Sequence, residues 1–234
     1  MMNIIKNLIK ENMIGNSLSA MICDFKSLSF NFQAIIRHLI NYHFSRRLSL
    51  VNNLHFGCGN DYKPGFLNVD LARKADVFLD ARNKMPFKDN QIDLIYSSHF
   101  LEHLTNKELF THLSECYRIL KPGGSYRICI PDLKAAISSY LNENEGEKRF
   151  LKISRDLPIT NYCIPEQYIS RLDYLDRALH ENGHHKIYID YERLKNFLCA
   201  SGFLSENVIQ VGYDESIDNQ WRRDYSIYVL ATKH

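Results

Sequence analysis

Short apolar segments alternate with turns and helix-like stretches between residues 51 and 133, and this alternation limits the possible folds more than any other feature of the chain. Five apolar segments have strand character, at residues 50–56, 66–70, 76–80, 92–98 and 125–130. A stretch with helical character, 101–120, precedes the fifth segment and stops at a Pro-Gly-Gly turn. Strands that are interleaved with helices are typical of a parallel sheet covered on both faces.

The C-terminal part of the chain continues this pattern after an interruption at residues 142–186. The interruption is polar and rich in tyrosine, and it contains one predicted helix at residues 165–181. We interpret it as an insertion or cap on the substrate side, because irregular segments beside a regular sheet often determine selectivity. Asp190 then precedes a predicted helix that ends near Gly202. Two predicted strands close the chain, at residues 208–211 and 225–231.

Residues 1–50 form a predicted helical extension to a main domain that spans residues 51–234. Apolar residues recur there at helical spacing, and six Lys or Arg residues against two acidic residues make the extension basic. Stripes of this kind usually pack on their own domain or on a second copy of the chain, so a homodimer through these helices is one expectation. Residence on a membrane surface is the alternative that a basic amphipathic helix also suits.

The composition is ordinary for a globular protein of 234 residues, with 45% hydrophobic and 24% charged residues. No run of about 18 apolar residues occurs, which predicts that no segment spans a membrane. The net charge of +2 is too small to indicate nucleic-acid binding. Six scattered cysteines without a Cys-x-x-Cys pair are typical of reduced thiols, so we predict a cytoplasmic protein.

A glycine turn and two acidic residues follow the first three predicted strands in order. Gly57 and Gly59 come directly after the first strand, where the absence of a Cβ lets the backbone approach a ligand. Asp70 ends the second strand, and a carboxylate at that point can accept hydrogen bonds from both hydroxyls of a ribose. Asp80 ends the third strand and is placed to accept from an adenine amino group. Their order along the chain, rather than any one residue, predicts a nucleotide-like ligand.

Further segments extend this pattern. They are Leu54 to Asn60, Asn68-Val69-Asp70, Asp80-Ala81, Phe87 to Ile95, Leu101-Glu102-His103 and Arg118 to Gly124. Taken in order, these segments resemble the class I S-adenosylmethionine-dependent methyltransferases, and the loop with its Pro-Gly-Phe continuation is similar to a bacterial subgroup of small-molecule or sugar type. The resemblance covers a little over a third of the chain. It implies a Rossmann-like α/β fold, in which a seven-stranded, mostly parallel sheet with a reversed final hairpin carries helices on both faces.

The resemblance also implies S-adenosyl-L-methionine as the cofactor and a set of residues that bind it. That set is Gly57, Cys58, Gly59, Asn60, Asp70, Leu71, Asp80, Ala81, Ser98 and His99. Two positions depart from the family pattern. His55 stands where many members carry an acid, which leaves open how the cofactor amino group is recognised, and Asp61 replaces the usual third glycine of the loop.

Candidate catalytic residues come from the histidines, because an oxygen or nitrogen acceptor has a proton to lose and a His of near-neutral pKa suits that task. His103 follows the fourth strand at the mouth of the expected site, and His185 follows the insertion. We predict that His185 is an acid, base or substrate contact with Tyr188 beside it, and we include His103 among the catalytic candidates. The expected partner is a small-molecule or sugar-like substrate.

The segment from His99 to His103 reads His-x-x-Glu-His, which is also the inverted zinc-protease signature. On an α-helix these two histidines would share one face and both reach a zinc ion. Because the segment begins directly after a strand and no third ligand is evident, we predict no metal ligand and keep a zinc hydrolase, or a methyltransferase that holds a substrate metal here, as alternatives.

Two further alternatives concern the function itself. A family member that binds the cofactor without transferring a methyl group is one, since His55 and Asp61 depart from the pattern. A nucleic-acid methyltransferase is the other, and it is disfavoured because the fourth strand ends without an Asn/Asp-Pro-Pro-Tyr/Phe motif.

Overall fold

The computed structural model describes residues 51–72, 75–141 and 170–234. The predicted helical extension, residues 1–50, and the first part of the predicted insertion lie outside the described residues. The homodimer expected through that extension therefore stays a prediction. Within the described ranges, no helix is long and apolar enough to cross a membrane.

Seven strands form one sheet in the order β3-β2-β1-β4-β5-β7-β6. They are β1 Asn53–Phe56, β2 Leu67–Asp70, β3 Val77–Phe78, β4 Ile92–Ser98, β5 Leu120–Pro131, β6 Val208–Val211 and β7 Ser226–Thr232. The first five strands pair in parallel, whereas β7 is antiparallel to both β5 and β6. This arrangement confirms the predicted fold class, including the reversed final hairpin.

Four α-helices are described, and they form two packed pairs, α1 with α4 and α2 with α3. They are α1 Asn106–Ile119, α2 Leu133–Leu141, α3 Arg171–His180 and α4 Tyr191–Ala200. The helix predicted from residue 101 starts later because Thr105 and Glu108 form a capping box that fixes its first turn. Residues 101–103 instead form a short 3-10 turn. This turn carries Glu102 and His103.

The core between the sheet and α1 contains a buried polar group, the imidazole of His112. Its Nδ1 faces the carbonyl oxygen of Ala81 at 3.1 Å, and its Nε2 faces the Tyr126 hydroxyl at 3.1 Å. That hydroxyl also lies 2.8 Å from Ser97 Oγ. Burial lowers the pKa of His112 to about 4, so the ring is neutral and ties α1 to the turn after β3.

The polar segment before β7 is fixed to the sheet by a buried ion pair. The Arg127 guanidinium on β5 binds the Asp218 carboxylate in two places, with Nε 2.9 Å from Oδ1. It also donates to the carbonyl oxygen of Gly212 at 2.7 Å. Both side chains are almost fully buried, so removal of one partner would leave an uncompensated charge. The segment predicted as a plain loop is therefore anchored, and it brings Arg222 to the end of β4.

Candidate functional site

The glycine turn after β1 contains two residues in the left-handed conformation. Gly57 and Gly59 both have positive φ angles, 65° and 50°. A Cβ at Gly57 would lie 2.6 Å from Phe100 Cδ2, whereas a Cβ at Gly59 would meet nothing within 4 Å. Cys58 between them is buried. The turn thus presents bare backbone with open space in front of Gly59.

Asp70 at the end of β2 holds this turn in place. Its Oδ2 accepts from the Gly59 N–H at 2.8 Å, and its Oδ1 accepts from the Ala72 N–H at 2.8 Å. Each carboxylate oxygen can accept a second hydrogen bond. Asp70 therefore joins the loop to β2 and keeps acceptor capacity for a ligand. Asn60 is exposed and Leu71 is half-buried at the two ends of this arrangement.

Asp80 at the end of β3 is engaged more fully than the sequence indicated. Its Oδ1 accepts from Arg82 Nε at 2.8 Å, and its Oδ2 accepts from Arg82 Nη2 at 2.7 Å. An adenine amino group could therefore bind Asp80 only through carboxylate lone pairs that the hydrogen bonds with Arg82 do not use. The neighbouring Ala81 is buried, and its carbonyl oxygen faces His112.

The two departures from the family pattern lie beside the glycine turn. His55 is buried with its Nδ1 3.1 Å from Asn68 Oδ1, and burial lowers its pKa to about 4. A neutral imidazole cannot replace the charge of an acid. Asp61, however, has a buried Oδ2 atom without a hydrogen-bond partner among the described residues, and the nearest cation is Lys63 Nζ at 3.7 Å. From the sequence, Asp61 was noted only as the residue that replaces the third glycine of the loop, and no ligand contact was predicted for it.

The end of β4 is held by a residue that the sequence analysis missed. Arg222 Nη1 donates to Ser98 Oγ at 2.8 Å and also to the Ser98 carbonyl oxygen. His99 follows with a φ of 50°, a left-handed conformation that is uncommon outside glycine and often found at functional sites. Its Nε2 lies 2.7 Å from Ser226 Oγ. No pattern in the polar segment 214–223 indicates that Arg222 contacts the end of β4.

The structure brings together His103 and His185, two of the predicted catalytic residues. Their ring centroids are 5.2 Å apart, edge to face. The Lys186 N–H donates to the Glu102 carbonyl oxygen at 2.8 Å, which docks the segment after α3 onto the 3-10 turn after β4. Glu181 Oε2 lies 3.2 Å from His185 Nε2.

The environments of the two rings differ in their effect on protonation. Burial lowers the pKa of His103, so this imidazole is neutral at neutral pH. Burial acts in the same direction on His185, but the hydrogen bond to Glu181 and the charge of Glu102 together raise its pKa above the ordinary value. The pair thus holds one neutral ring and one that protonates more readily.

Tyr188 contacts the C-terminal end of α3. Its hydroxyl is 2.9 Å from His180 Nε2, and its side chain is exposed. Its carbonyl oxygen accepts from Arg193 Nη1 at 2.6 Å. His185 Nδ1 meets the carbonyl oxygen of the adjacent Leu179, so both side chains are held by the last turn of α3.

The His-x-x-Glu-His segment does not form the helical pair that a zinc-protease signature requires. The left-handed His99 and the following 3-10 turn direct the two histidines to different partners. The His99 ring reaches Ser226 on β7, whereas His103 faces the segment after α3. The zinc-hydrolase alternative is therefore wrong in its geometric premise.

Comparisons with known proteins give one family match. Residues 45–128 match a family described as a methyltransferase domain. This region contains the glycine turn, Asp70, Asp80 and the 3-10 turn. No curated protein matches the sequence. The matched region is the part of the chain whose motifs resemble methyltransferases.

Several solved structures are similar to the chain. An S-adenosylmethionine-dependent methyltransferase from Archaeoglobus fulgidus is 19% identical, with 84% of this chain and 94% of that chain covered and a TM-score of 0.46. A Thermotoga maritima protein, described as a possible histamine N-methyltransferase, is 16% identical, with 88% and 96% covered and a TM-score of 0.44. Phosphoethanolamine N-methyltransferase 2 from Haemonchus contortus, in complex with S-adenosylmethionine, is 14% identical, with 78% and 48% covered and a TM-score of 0.42.

Proposed function

We propose that this protein transfers a methyl group from S-adenosylmethionine to an oxygen or nitrogen of a small-molecule or sugar-like acceptor. The observation that carries the proposal is the glycine turn after β1, which is tied by the Gly59 N–H to the Asp70 carboxylate at the end of β2. In parallel α/β sheets, ligands bind in the crevice at the carboxyl ends of the strands. The turn and the carboxylate lie at that edge.

The residues present fit the cofactor. The bare backbone at Gly59 leaves room for it, and the free acceptor capacity of Asp70 suits the ribose hydroxyls. Asp61 Oδ2 accepts no hydrogen bond from the described residues and has Lys63 Nζ at 3.7 Å, so it suits the cofactor's ammonium group, a role for which neutral His55 lacks the charge. In this assignment Asp61 supplies the negative charge that is missing at His55.

The cofactor, when bound, supplies a methyl group on a sulfonium, which has a good neutral leaving group. The protein then mainly has to align the acceptor, and positioning of this kind supplies about 7–11 kcal/mol in favourable cases. The remaining step is removal of a proton from the acceptor. His103 suits it because its Nδ1 faces the His184 carbonyl oxygen at 3.1 Å, which leaves Nε2 free to accept a proton.

Two measurements test the proposal in sequence. Calorimetric titration of the full chain with S-adenosylmethionine should give one site per chain, and absence of binding would contradict the assignment. Release of S-adenosylhomocysteine should then be measured across a panel of hydroxyl- and amine-bearing small molecules. Binding without release for every acceptor would favour the alternative of a catalytically silent binding module.

Gly59→Ala is expected to weaken S-adenosylmethionine binding about tenfold, because a Cβ would enter the open space that we assign to the cofactor. Gly123→Ala is the matched control, since Gly123 also has a positive φ and open space but lies at the start of β5. Both variants should lose about 1–2 kcal/mol of unfolding free energy from the left-handed backbone. Equal cofactor affinities in the two variants would show that the space at Gly59 is not the binding surface.

Asp61→Asn is expected to lower the affinity for S-adenosylmethionine about tenfold, since an ionic hydrogen bond contributes about 1.5–3 kcal/mol. The amide keeps the size of the side chain, so the fold should be retained. Asp93→Asn, on an exposed residue paired with Lys121, serves as the control and should bind normally. The discriminating measurement is titration with S-adenosylmethionine beside an analogue that lacks the amino group, and only the first ligand should bind more weakly to the Asp61→Asn variant. An identical loss for both ligands would contradict the role of Asp61.

A further inference from the structure

Glu102 is a buried carboxylate without a hydrogen-bond partner. The residue is only 3% exposed, and neither Oε atom has a donor within the part of the chain that the structure describes. The nearest ring nitrogen, His99 Nδ1, is 3.7 Å from Oε1. Burial raises the pKa of this carboxyl to about 7. Buried polar groups in native structures normally have partners, so an acid in this state points to a missing ligand.

The two histidines beside Glu102 have their free nitrogens on the same side. Each Nδ1 faces a backbone carbonyl oxygen, that of His184 at 3.1 Å for His103 and that of Leu179 at 2.8 Å for His185. A carbonyl only accepts, so both Nδ1 atoms carry a proton. The Nε2 atom then presents a lone pair in each neutral ring, and a cation would replace the proton that His185 Nε2 shares with Glu181. Metal-binding histidines are oriented in this way, with the second ring nitrogen bonded to a backbone carbonyl or carboxylate.

A second carboxylate completes the surroundings of these nitrogens. Glu181 Oε2 lies 3.2 Å from His185 Nε2 and 3.7 Å from His103 Nε2. An ion pair between Glu181 and protonated His185 would account for those two groups, but it leaves Glu102 without a partner. A cation between the four side chains accounts for all of them.

The spacing of the candidate ligands also fits. One ligand atom from each of Glu102, His103 and His185 lies within 4.8 Å of the other two. Two ligands of a tetrahedral zinc ion stand about 3.3–3.6 Å apart, because each bond is about 2.0–2.2 Å long. Cation binding would therefore draw these side chains together by roughly 1 Å. His99, the other histidine of the His-x-x-Glu-His segment, is bonded to Ser226 and is not in the set.

We propose that Glu102, His103 and His185 bind a divalent transition-metal cation of the Zn²⁺ type, with the Glu181 carboxylate as the fourth ligand. Two imidazoles and carboxylates favour Zn²⁺ or Co²⁺ over Mg²⁺ and Ca²⁺, which prefer all-oxygen sites. No metal ligand was predicted from the sequence, because the His-x-x-Glu-His segment begins directly after a strand and no third ligand is evident. His185 comes from a distant part of the chain and is brought in by the Lys186–Glu102 backbone hydrogen bond.

The role of this cation rests on the proposed function: it would hold an acceptor oxygen near the end of β4 and favour loss of its proton. A histidine whose Nδ1 carries a proton and whose Nε2 coordinates a metal has no lone pair left to accept another proton. Metal binding and general-base catalysis are therefore alternative roles for the pair, and metal binding can be tested without cofactor or acceptor.

The experiment is a calorimetric titration of the reduced, chelator-treated full chain with Zn²⁺ alone, repeated with Co²⁺ and followed by visible absorption. Wild-type protein should bind one equivalent. Glu102→Gln and His185→Ala should each weaken that site by at least about 100-fold, because loss of a ligand should exceed the 10–100-fold effect of an outer partner. His234→Ala and Glu206→Gln, both on exposed residues, are matched controls and should bind like wild type.

Glu181→Gln keeps the experiment decisive if a buried variant fails to fold. Glu181 is half-exposed, so this substitution should leave the melting temperature close to that of wild type and lower Zn²⁺ affinity about tenfold. The proposal is overturned if the wild-type chain binds no stoichiometric Zn²⁺, or if the folded variants bind it as tightly as the controls. Because no S-adenosylmethionine is present, this result is independent of whether the methyltransferase assignment holds.

Discussion

Asp70→Ala is expected to reduce S-adenosylmethionine affinity by about 100-fold or more. Each charged hydrogen bond to a ribose hydroxyl contributes about 1.5–3 kcal/mol, and the substitution removes the acceptor for two of them. It also frees the Gly59 N–H, which now donates to Asp70 Oδ2 at 2.8 Å, so the glycine turn loses its attachment to β2. The measurement is calorimetric titration with S-adenosylmethionine and S-adenosylhomocysteine, and both should bind more weakly, since both carry the ribose.

Asp93→Ala is the control for this effect. Asp93 is exposed on β4 and pairs with Lys121, and an exposed pair contributes only about 0–1 kcal/mol to stability. Its cofactor affinity should equal that of wild type. Asp70→Asn adds a graded case, because the amide keeps one acceptor and should lie between wild type and the alanine variant. Unchanged affinity in a folded Asp70→Ala variant would remove the ribose assignment.

His185→Ala is expected to lower turnover by about 100-fold or more while cofactor affinity stays near that of wild type. His185 packs against His103, the ring that we assign to the acceptor proton, and loss of such proton transfer typically costs about 10²–10⁴ in rate. The His185 ring packs against His103 and its Nε2 lies 3.2 Å from Glu181, on the acceptor side of the proposed site. Turnover is measured as S-adenosylhomocysteine release with an acceptor found in the panel, and affinity by titration.

His234→Ala provides the comparison, since this exposed histidine lies at the chain end. A His185→Ala protein with wild-type turnover would exclude His185 from the mechanism. A parallel loss of cofactor affinity would instead indicate a structural role, because the docked segment after α3 would then support the cofactor crevice. Zn²⁺ titration of the same variant separates a ligand role from a proton-transfer role.

The positions of the strands were predictable from the sequence because most apolar runs are short and end at a turn signal, although β5 begins at Leu120 and includes the Pro-Gly-Gly stretch that was predicted as a turn. The predicted strand at 92–98 agrees with β4 to the residue. The predicted start of the helix at residue 101 was wrong, because Leu101 and Leu104 continue the apolar periodicity although the chain forms a 3-10 turn there. The capping box at Thr105 and Glu108 was the available signal for the true start.

The cofactor side of the site was more predictable than the acceptor side. Gly57, Gly59 and Asp70 are placed by consecutive elements, so their order in the sequence indicates their positions in space. Glu102 and His185 meet only because the segment after α3 docks on the 3-10 turn, and no local pattern indicates such a contact. The sequence could not indicate that carboxylate oxygens of Asp61 and Glu102 are buried without a hydrogen bond among the described residues, because burial and partners depend on the fold.

The most direct test of the central claim is a crystal structure of the full chain with S-adenosylhomocysteine. We expect the ligand in the crevice at the carboxyl ends of β1 and β2, with its ribose hydroxyls on Asp70, its amino group near Asp61 and its backbone contacts at Gly59. A structure that shows this crevice empty while the ligand is bound elsewhere, or not bound at all, would contradict the account.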